Sequence, residues 1–174
     1  VNGLVTFVQQ VVTRFPDIHF LFIGAGLQKQ ELTALSLDLE NLHIMDPVPK
    51  ERLNAYIQSA DAALMLVDPV FKIFETNSAN KFFEYLAAGK PIIMNYKGWK
   101  YDLIETHGCG VYWDNDDHDW VEKSISRLFG DRALLEQMGQ LSLKLAETFD
   151  SKKLSQAFTE TIERTYRPNE NRDR

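Results

Sequence analysis

The sequence predicts an α/β fold in which a parallel sheet is covered by helices on both faces and is followed by an all-helical C-terminal segment. Three observations lead there. Apolar spacing alternates between the helical period and short continuous runs as far as Trp113. Those runs are apolar on both faces, as strands beneath crossover helices are. After Asn115 the spacing is helical throughout. The handedness of crossovers then makes the sheet doubly wound.

In chain order, Leu4, Phe7, Val8, Val11, Val12 and Phe15 form one helical face that ends before Pro16. "IHFLFIGAG" follows as a strand entering a glycine turn, "LQKQELTALSLDL" as a helix, "NLHIMD" as a strand, "PKERLNAYIQSA" as a helix and "DAALMLVD" as a third strand. A polar loop leads into a helix over 79–88, after which Gly89 tolerates positive φ and Pro91 opens the strand "KPIIMN" without missing an N–H. A helix over 99–107 and the strand "GVYW" complete the alternation. Helices over 117–129, 131–148 and 151–166 form the C-terminal segment, and the charged "RPNENRDR" reads as a frayed end.

The chain has 174 residues, 44% hydrophobic and 25% charged, which suits one globular domain over 1–168 with a tail over 169–174. A helical pattern beginning almost at Val1 leads us to expect that the chain is cut from a longer protein. A net charge of -6 argues against a nucleic-acid or polybasic membrane surface but leaves room for a small anion held by local groups. The single cysteine, Cys109, excludes an internal disulfide or a four-Cys zinc site, and a reducing compartment is expected. No apolar run approaches the roughly 18 residues of a membrane helix, and no leader pattern is visible.

In open parallel sheets ligands bind beyond the carboxyl ends of the strands. The loops Gly24–Gly26, Asp46–Pro49, Asp68–Asn80 and Asn95–Trp99 should therefore share one rim. Within them, "FETNSANKFFEYLAAGKPIIMN" stands out because an apolar helix carries Glu84 in its middle and opens on polar residues. A start near Ser78 or Ala79 leaves the N–H groups of Ala79, Asn80 and Lys81 free for an anion, unless Ser78 merely caps the helix. Glu84 is either a bidentate acceptor for two adjacent sugar hydroxyls or a surface residue paired with Lys81. "GAG" at 24–26 is a weak signal for a phosphate or sugar turn.

Other patterns read as structural. "DNDD" at 114–117 precedes a helix, where Asp and Asn cap and turn, rather than forming a metal motif. His19, His43, His107 and His118 lack ligand spacing, so no metal site is expected. Cys109 reads as a small buried thiol, and Trp99 as either a cleft-lining or a helix-start residue.

"HFLFIGAGLQKQEL", "NLHIMDPVPKERLNAYIQSADAALMLV", "NSANKFFEYLAAGKPIIMN" and "GCGVYWDNDD", in that order and spacing, resemble the C-terminal donor half of a GT-B glycosyltransferase of family 4. The resemblance covers residues 2–150 and is nearest to bacterial enzymes of surface polysaccharide and lipopolysaccharide synthesis. It implies one Rossmann-like half of a GT-B fold, with the first strand and the N-terminal acceptor domain missing. The implied activity is retaining transfer from a nucleotide-sugar, chiefly a UDP-sugar, to a saccharide or lipid-linked acceptor, with no tightly bound cofactor or metal. The location implied is cytoplasmic, or peripheral at the inner face of the membrane, with membrane and acceptor contacts through the missing domain. The last helix would return toward that domain, leaving an apolar patch here.

By the same resemblance, Glu84 matches the second glutamate of an E-x7-E motif and would bind the ribose hydroxyls. Ala79, Asn80 and Lys81, with Ser78 at the helix start, match the distal-phosphate site. Val48 matches the position whose backbone reads the base, stiffened by Pro47 and Pro49, and Gly24 and Gly26 match the turn facing the diphosphate. The first glutamate of the motif falls at Thr76, with Glu75 beside it, and of the family's basic pair the lysine position falls near Asn2. Lys72 and Lys81 are then the candidates for stabilising the leaving diphosphate. The catalytic candidates are thus Glu75, Thr76 and Lys72. A non-hydrolysing UDP-sugar 2-epimerase half and a nucleotide-binding module without chemistry are the alternatives.

Overall fold

A computed structural model describes residues 3–68, 70–114, 117, 119 and 121–166. The expectations placed on Asn2, Asn115, Asp116, His118 and the 169–174 tail lie outside the described residues.

Helix α1 (Gly3–Gln10) leads through a 3-10 turn, Val12–Arg14, to strand β1 (Phe20–Ile23). The helical face expected to run to Phe15 thus breaks earlier. Asn41 explains it: its buried amide donates to the carbonyls of Val12 (3.1 Å), Phe15 (2.9 Å) and Ile18 (3.0 Å), pulling this stretch out of the α-helical ladder. Helix α2 (Lys29–Ser36), β2 (Leu42–Met45), α3 (Lys50–Ser59) and β3 (Ala63–Met65) follow as expected. A short helix that the spacing does not reveal, α4 (Ile73–Thr76), interrupts the next loop.

Then come α5 (Asn80–Ala87), β4 (Ile92–Met94), α6 (Trp99–His107) and β5 (Gly110–Tyr112). A π-helical turn over Val121–Ile125 enters α7 (Ser126–Gly130). Helix α8 (Arg132–Ala146) closes in a 3-10 turn, Glu147–Phe149, and α9 (Ser151–Thr165) is last.

All strand pairs are parallel. Phe20 pairs with Leu42, Ala63 with Ile92, and Ile92 with Gly110, giving the orders β1-β2 and β3-β4-β5. No backbone ladder joins the two sets among the described residues, yet one core spans them, with Phe20 and Leu42 packed with Phe7, Val8, Ile93 and Trp113. The opposite face of β4 presents Ile92 and Met94 to a second core with Phe82, Leu86, Ile104 and Leu145. Helices therefore cover both faces.

Helix α8 anchors to the α5–β4 turn. Gly89 has φ 66°, and a Cβ on Gly139 would fall 2.6 Å from the Gly89 carbonyl oxygen, so the two glycines let backbone meet backbone. Ser142 Oγ adds a 2.9 Å hydrogen bond to the Lys90 carbonyl. Helix α9 is different: Asp150 caps its start, but Leu154, Phe158, Ile162 and Tyr166 are exposed along one edge. No helix among the described residues is long and apolar enough to cross a membrane.

Candidate functional site

Parallel strands bring all their carboxyl ends to one edge, and side chains tie the loops there together. Lys29, after the Gly24–Gly26 turn, pairs with Asp46 beyond β2. Lys50, at the start of α3, places Nζ 3.1 Å from Glu84 Oε1 on α5. Asn95, beyond β4, brackets Val67, accepting from its N–H at 2.9 Å and donating to its carbonyl at 2.8 Å. A buried side-chain amide thereby continues the β3–β4 pairing past the last strand residues. The four expected loops share one rim.

Helix α5 forms the centre of that rim. Its N-cap is Ala79 (φ -76°, ψ 125°), with no side-chain cap, so Ser78 does not serve as one. Among the described residues the amides of Ser78, Ala79, Asn80 and Lys81 donate to no protein acceptor, and the helix dipole adds positive potential at the same place.

Glu84 lies one turn further in, and the structure pairs it with Lys50 rather than with Lys81. Its side chain keeps 28% exposure, enough to meet a ligand. Its charge is felt next door: the Tyr85 hydroxyl pKa is raised, first by burial and then by the Glu84 carboxylate. The ion pair also draws the half-buried Val48, two residues before Lys50, to the Glu84 side of the rim. Pro49, the N-cap of α3 at φ -55°, fixes the chain between them. At the other end, a Cβ on Gly24 or Gly26 would meet nothing within 4 Å, so that turn faces open space.

Lys72, Glu75 and Thr76 sit together on and beside α4. Lys72 Nζ is 3.1 Å from Glu75 Oε1, and Thr76 Oγ1 donates to the Ile73 carbonyl at 3.4 Å. Lys72 and Glu75 are thus partly neutralised by each other, while Lys81 projects into solvent.

The loop after β4, expected on the rim, brings with it Lys100, which no expectation singles out. Lys100 is 1% exposed and spends its ammonium on the carbonyls of Phe74 (2.9 Å) and Asn77 (2.6 Å) and on Asn77 Oδ1 (2.7 Å). Burial lowers its pKa from the ordinary lysine value, and the same environment raises that of Tyr96, 5.4 Å away under the ammonium, to about 12. Trp99 is a helix-start residue packed on Phe82, with Nε1 donating to the Asn77 carbonyl at 3.2 Å. Gly98 (φ 120°, ψ -178°) presses on Glu75, whose carbonyl oxygen a Cβ would approach to 2.3 Å. Of these residues, Trp99 is singled out by its place at a helix start and Gly98 by standing directly before that helix, whereas nothing local marks Lys100.

The remaining candidates lie elsewhere. Cys109 is buried, and burial pushes its thiol pKa up. His19 Nδ1 and His43 Nε2 meet at 3.0 Å on the exposed face of β1–β2. Among the described residues no group of three or more His, Cys, Asp or Glu side chains could hold a metal ion. Cavities of about 250 and 390 Å³ open away from these loops, one beside Phe83 and Phe149 and one beside Tyr101 and Tyr112.

The model of the family described as "Glycosyl transferases group 1" matches residues 1–131. No curated protein matches the chain. Among solved structures, a sucrose-phosphate synthase from Thermosynechococcus elongatus superposes with TM-score 0.71 at 15% identity, over 94% of this chain and 42% of that one. WaaG, a glycosyltransferase involved in lipopolysaccharide biosynthesis, gives 0.65 at 14% identity, over 92% and 43%. HepE from Anabaena, in complex with UDP, gives 0.67 at 16% identity, again over 92% and 43%. The chain spans less than half the length of these structures, and at such identities the likeness establishes the shared GT-B half-fold.

Proposed function

The chain belongs to the group 1 glycosyl transferases, and from that premise we propose that the rim around α5 binds the nucleotide-sugar donor of a retaining, family 4 glycosyl transfer. One observation carries the reading. The Lys50–Glu84 ion pair, at 3.1 Å, brings the Val48 loop and a partly exposed carboxylate to the same helix whose first amides are free. A nucleoside diphosphate needs such a set: a backbone edge for the base, a carboxylate for two adjacent ribose hydroxyls, and amides at a helix start for phosphate.

In this reading the base lies on the loop at Val48 and the ribose on Glu84. The distal phosphate lies on the amides from Ser78 to Lys81, and the Gly24–Gly26 turn faces the diphosphate. Breaking the glycosidic bond puts negative charge on the leaving diphosphate, which those amides, with Lys72 and Lys81 nearby, would stabilise. Glu75, neighbour to Thr76, is the carboxylate nearest in sequence to where the family motif meets the sugar. The donor is a UDP-sugar, in keeping with UDP in the HepE structure, and no cofactor is tightly bound.

The acceptor is a saccharide or a lipid-linked saccharide held by an N-terminal domain, and the pathway is cell-surface polysaccharide synthesis, as the likeness to WaaG suggests. The protein would work in the cytoplasm. The domain alone would bind nucleotide without turnover, because closure of two domains sets the reacting geometry and excludes water.

The test is calorimetric titration of the chain with UDP and with GDP, repeated on Glu84→Ala. We expect preference for one base and a loss of roughly 1 to 3 kcal/mol in the variant, the worth of hydrogen bonds to a charged acceptor. Equal, weak binding of both nucleotides, unaffected by the substitution, would sink the donor-site reading. A second reading, a binding module without chemistry, draws on Thr76, whose hydroxyl turns back on its own helix, and on Lys72, engaged by Glu75. Tight nucleotide binding by a full-length protein that never hydrolyses or transfers the sugar would favour it.

A further inference from the structure

We infer that Lys100 is the positioning residue for the phosphate end of this site: its buried ammonium fixes the Phe74–Asn77 strap so that the Ser78 amide joins the free amides of α5. This rests on the donor-site reading above. An ammonium taken out of water loses its hydration unless hydrogen bonds replace it, and a methionine would fill the same space without that penalty. Lys100 is 1% exposed, and among the described residues no carboxylate lies within ion-pair distance of it. What it has instead is three acceptors, all in one strap: Phe74 O, Asn77 O and Asn77 Oδ1, at 2.9, 2.6 and 2.7 Å.

Those bonds set the direction of a peptide plane. In a trans peptide the carbonyl and the following N–H point to opposite sides. The Asn77 carbonyl is turned inward by two donors at once, Lys100 Nζ at 2.6 Å and Trp99 Nε1 at 3.2 Å, which occupy both its lone pairs. The Ser78 N–H is therefore turned outward. There it is continuous with Ala79, Asn80 and Lys81, whose amides also have no protein acceptor among the described residues.

Gly98 closes the back of the strap, since its approach to Glu75 leaves no room for a Cβ. The Asn77–Ser78 peptide then stands with its negative end on a buried cation and its positive end toward the rim. An anion bound there meets an oriented dipole backed by an unpaired positive charge, the arrangement that makes an anion site strong without an exposed lysine.

The experiment compares UDP with UMP, and GDP with GMP, by calorimetric titration of the whole chain as wild type, Lys100→Met and Trp99→Phe. The positioning role concerns the distal phosphate, so the expected effect is on the diphosphate-to-monophosphate affinity ratio. That ratio should fall about tenfold in Lys100→Met, the size of one charge-assisted hydrogen bond, with monophosphate affinity changed less than about twofold. Trp99→Phe keeps the ring packing and removes one donor, and should lower the ratio about two- to threefold.

A ratio equal to that of the wild type, whether both affinities hold or both fall by the same factor, overturns the role of Lys100. If Lys100→Met does not fold, Trp99→Phe carries the test, and an unchanged ratio there overturns it equally. The two readings fail separately. Wild-type binding that depends on Glu84 with an unmoved ratio removes only the Lys100 role, whereas a wild type that binds no nucleotide removes the donor site and this role with it.

Discussion

The two sets of strands end differently at the rim. Beyond β3 and β4 two buried polar side chains hold the loops, the Asn95 amide on Val67 and the Lys100 ammonium on the 74–77 strap, with Gly98 flush against Glu75. Beyond β1 and β2 the corresponding tie is a surface ion pair, Lys29 with Asp46, whose carboxylate side is 85% exposed. The covering helix α2 buries only Leu32 and leaves Leu37 exposed, as is Leu27 just ahead of it. Polar burial is costly unless every group finds a partner. Here it is concentrated where a loop must hold one shape beside the start of α5, and it is absent where a surface turn suffices.

The largest effect should come from Gly98→Ala. At φ 120° an L side chain is strained, and its Cβ would fall 2.3 Å from the Glu75 carbonyl oxygen, with backbone rather than a flexible side chain in the way. We expect a loss of roughly 3 to 5 kcal/mol from combined strain and clash, read by chemical denaturation. A variant that melts within about 2 °C of the wild type would mean that the strap is not pressed on this loop, and would undo the contrast between the two sides.

Asn95 offers a graded version of the same test. Asn95→Leu removes the acceptor for Val67 N–H and the donor for Val67 O, leaving both without their partner, at about 2 to 3 kcal/mol. Asn95→Asp keeps the acceptor but sets a buried carboxylate against the Val67 carbonyl oxygen, so at neutral pH it should be at least as destabilised as Asn95→Leu in the same denaturation series. Equal stability of all three would show that water replaces the amide, and the β3–β4 end would then be as solvated as the β1–β2 end.

The sequence carried the architecture because each strand and helix is announced locally. Continuous apolar runs end at Gly24, Asp46 and Asp68, and "AAGKP" marks the stop of α5 with a glycine that does take positive φ. What it did not carry is short or non-local. Helix α4 has four residues, too few for any period to register. The break after α1 depends on Asn41, some 30 residues later in the chain. Glu84 was singled out by its type in an apolar helix, but its partner Lys50 is 34 residues away, and the adjacent Lys81 was the local candidate. Lys100 carries no local signal in "KGWKYDL", and only the folded strap 23 to 26 residues earlier makes it a buried lysine.

The smallest expected effect tests the other half of the comparison. Leu37 follows α2, the helix beside β2, and is 84% exposed. Leucine and glutamine have nearly equal helix propensity, and a side chain that is already in water contributes little by leaving it. Leu37→Gln should therefore change stability by no more than about 0.5 kcal/mol in the same denaturation measurement that reads Gly98→Ala. A loss above about 1 kcal/mol would require burial of this leucine in solution, by a second copy or by a further part of the protein. Concentration dependence of the melt separates those two, since self-association makes stability rise with protein concentration and an intramolecular cover does not. Either outcome would mean that the β1–β2 side is finished by contact with another surface, while the β4 side is finished from within by Asn95, Gly98 and Lys100.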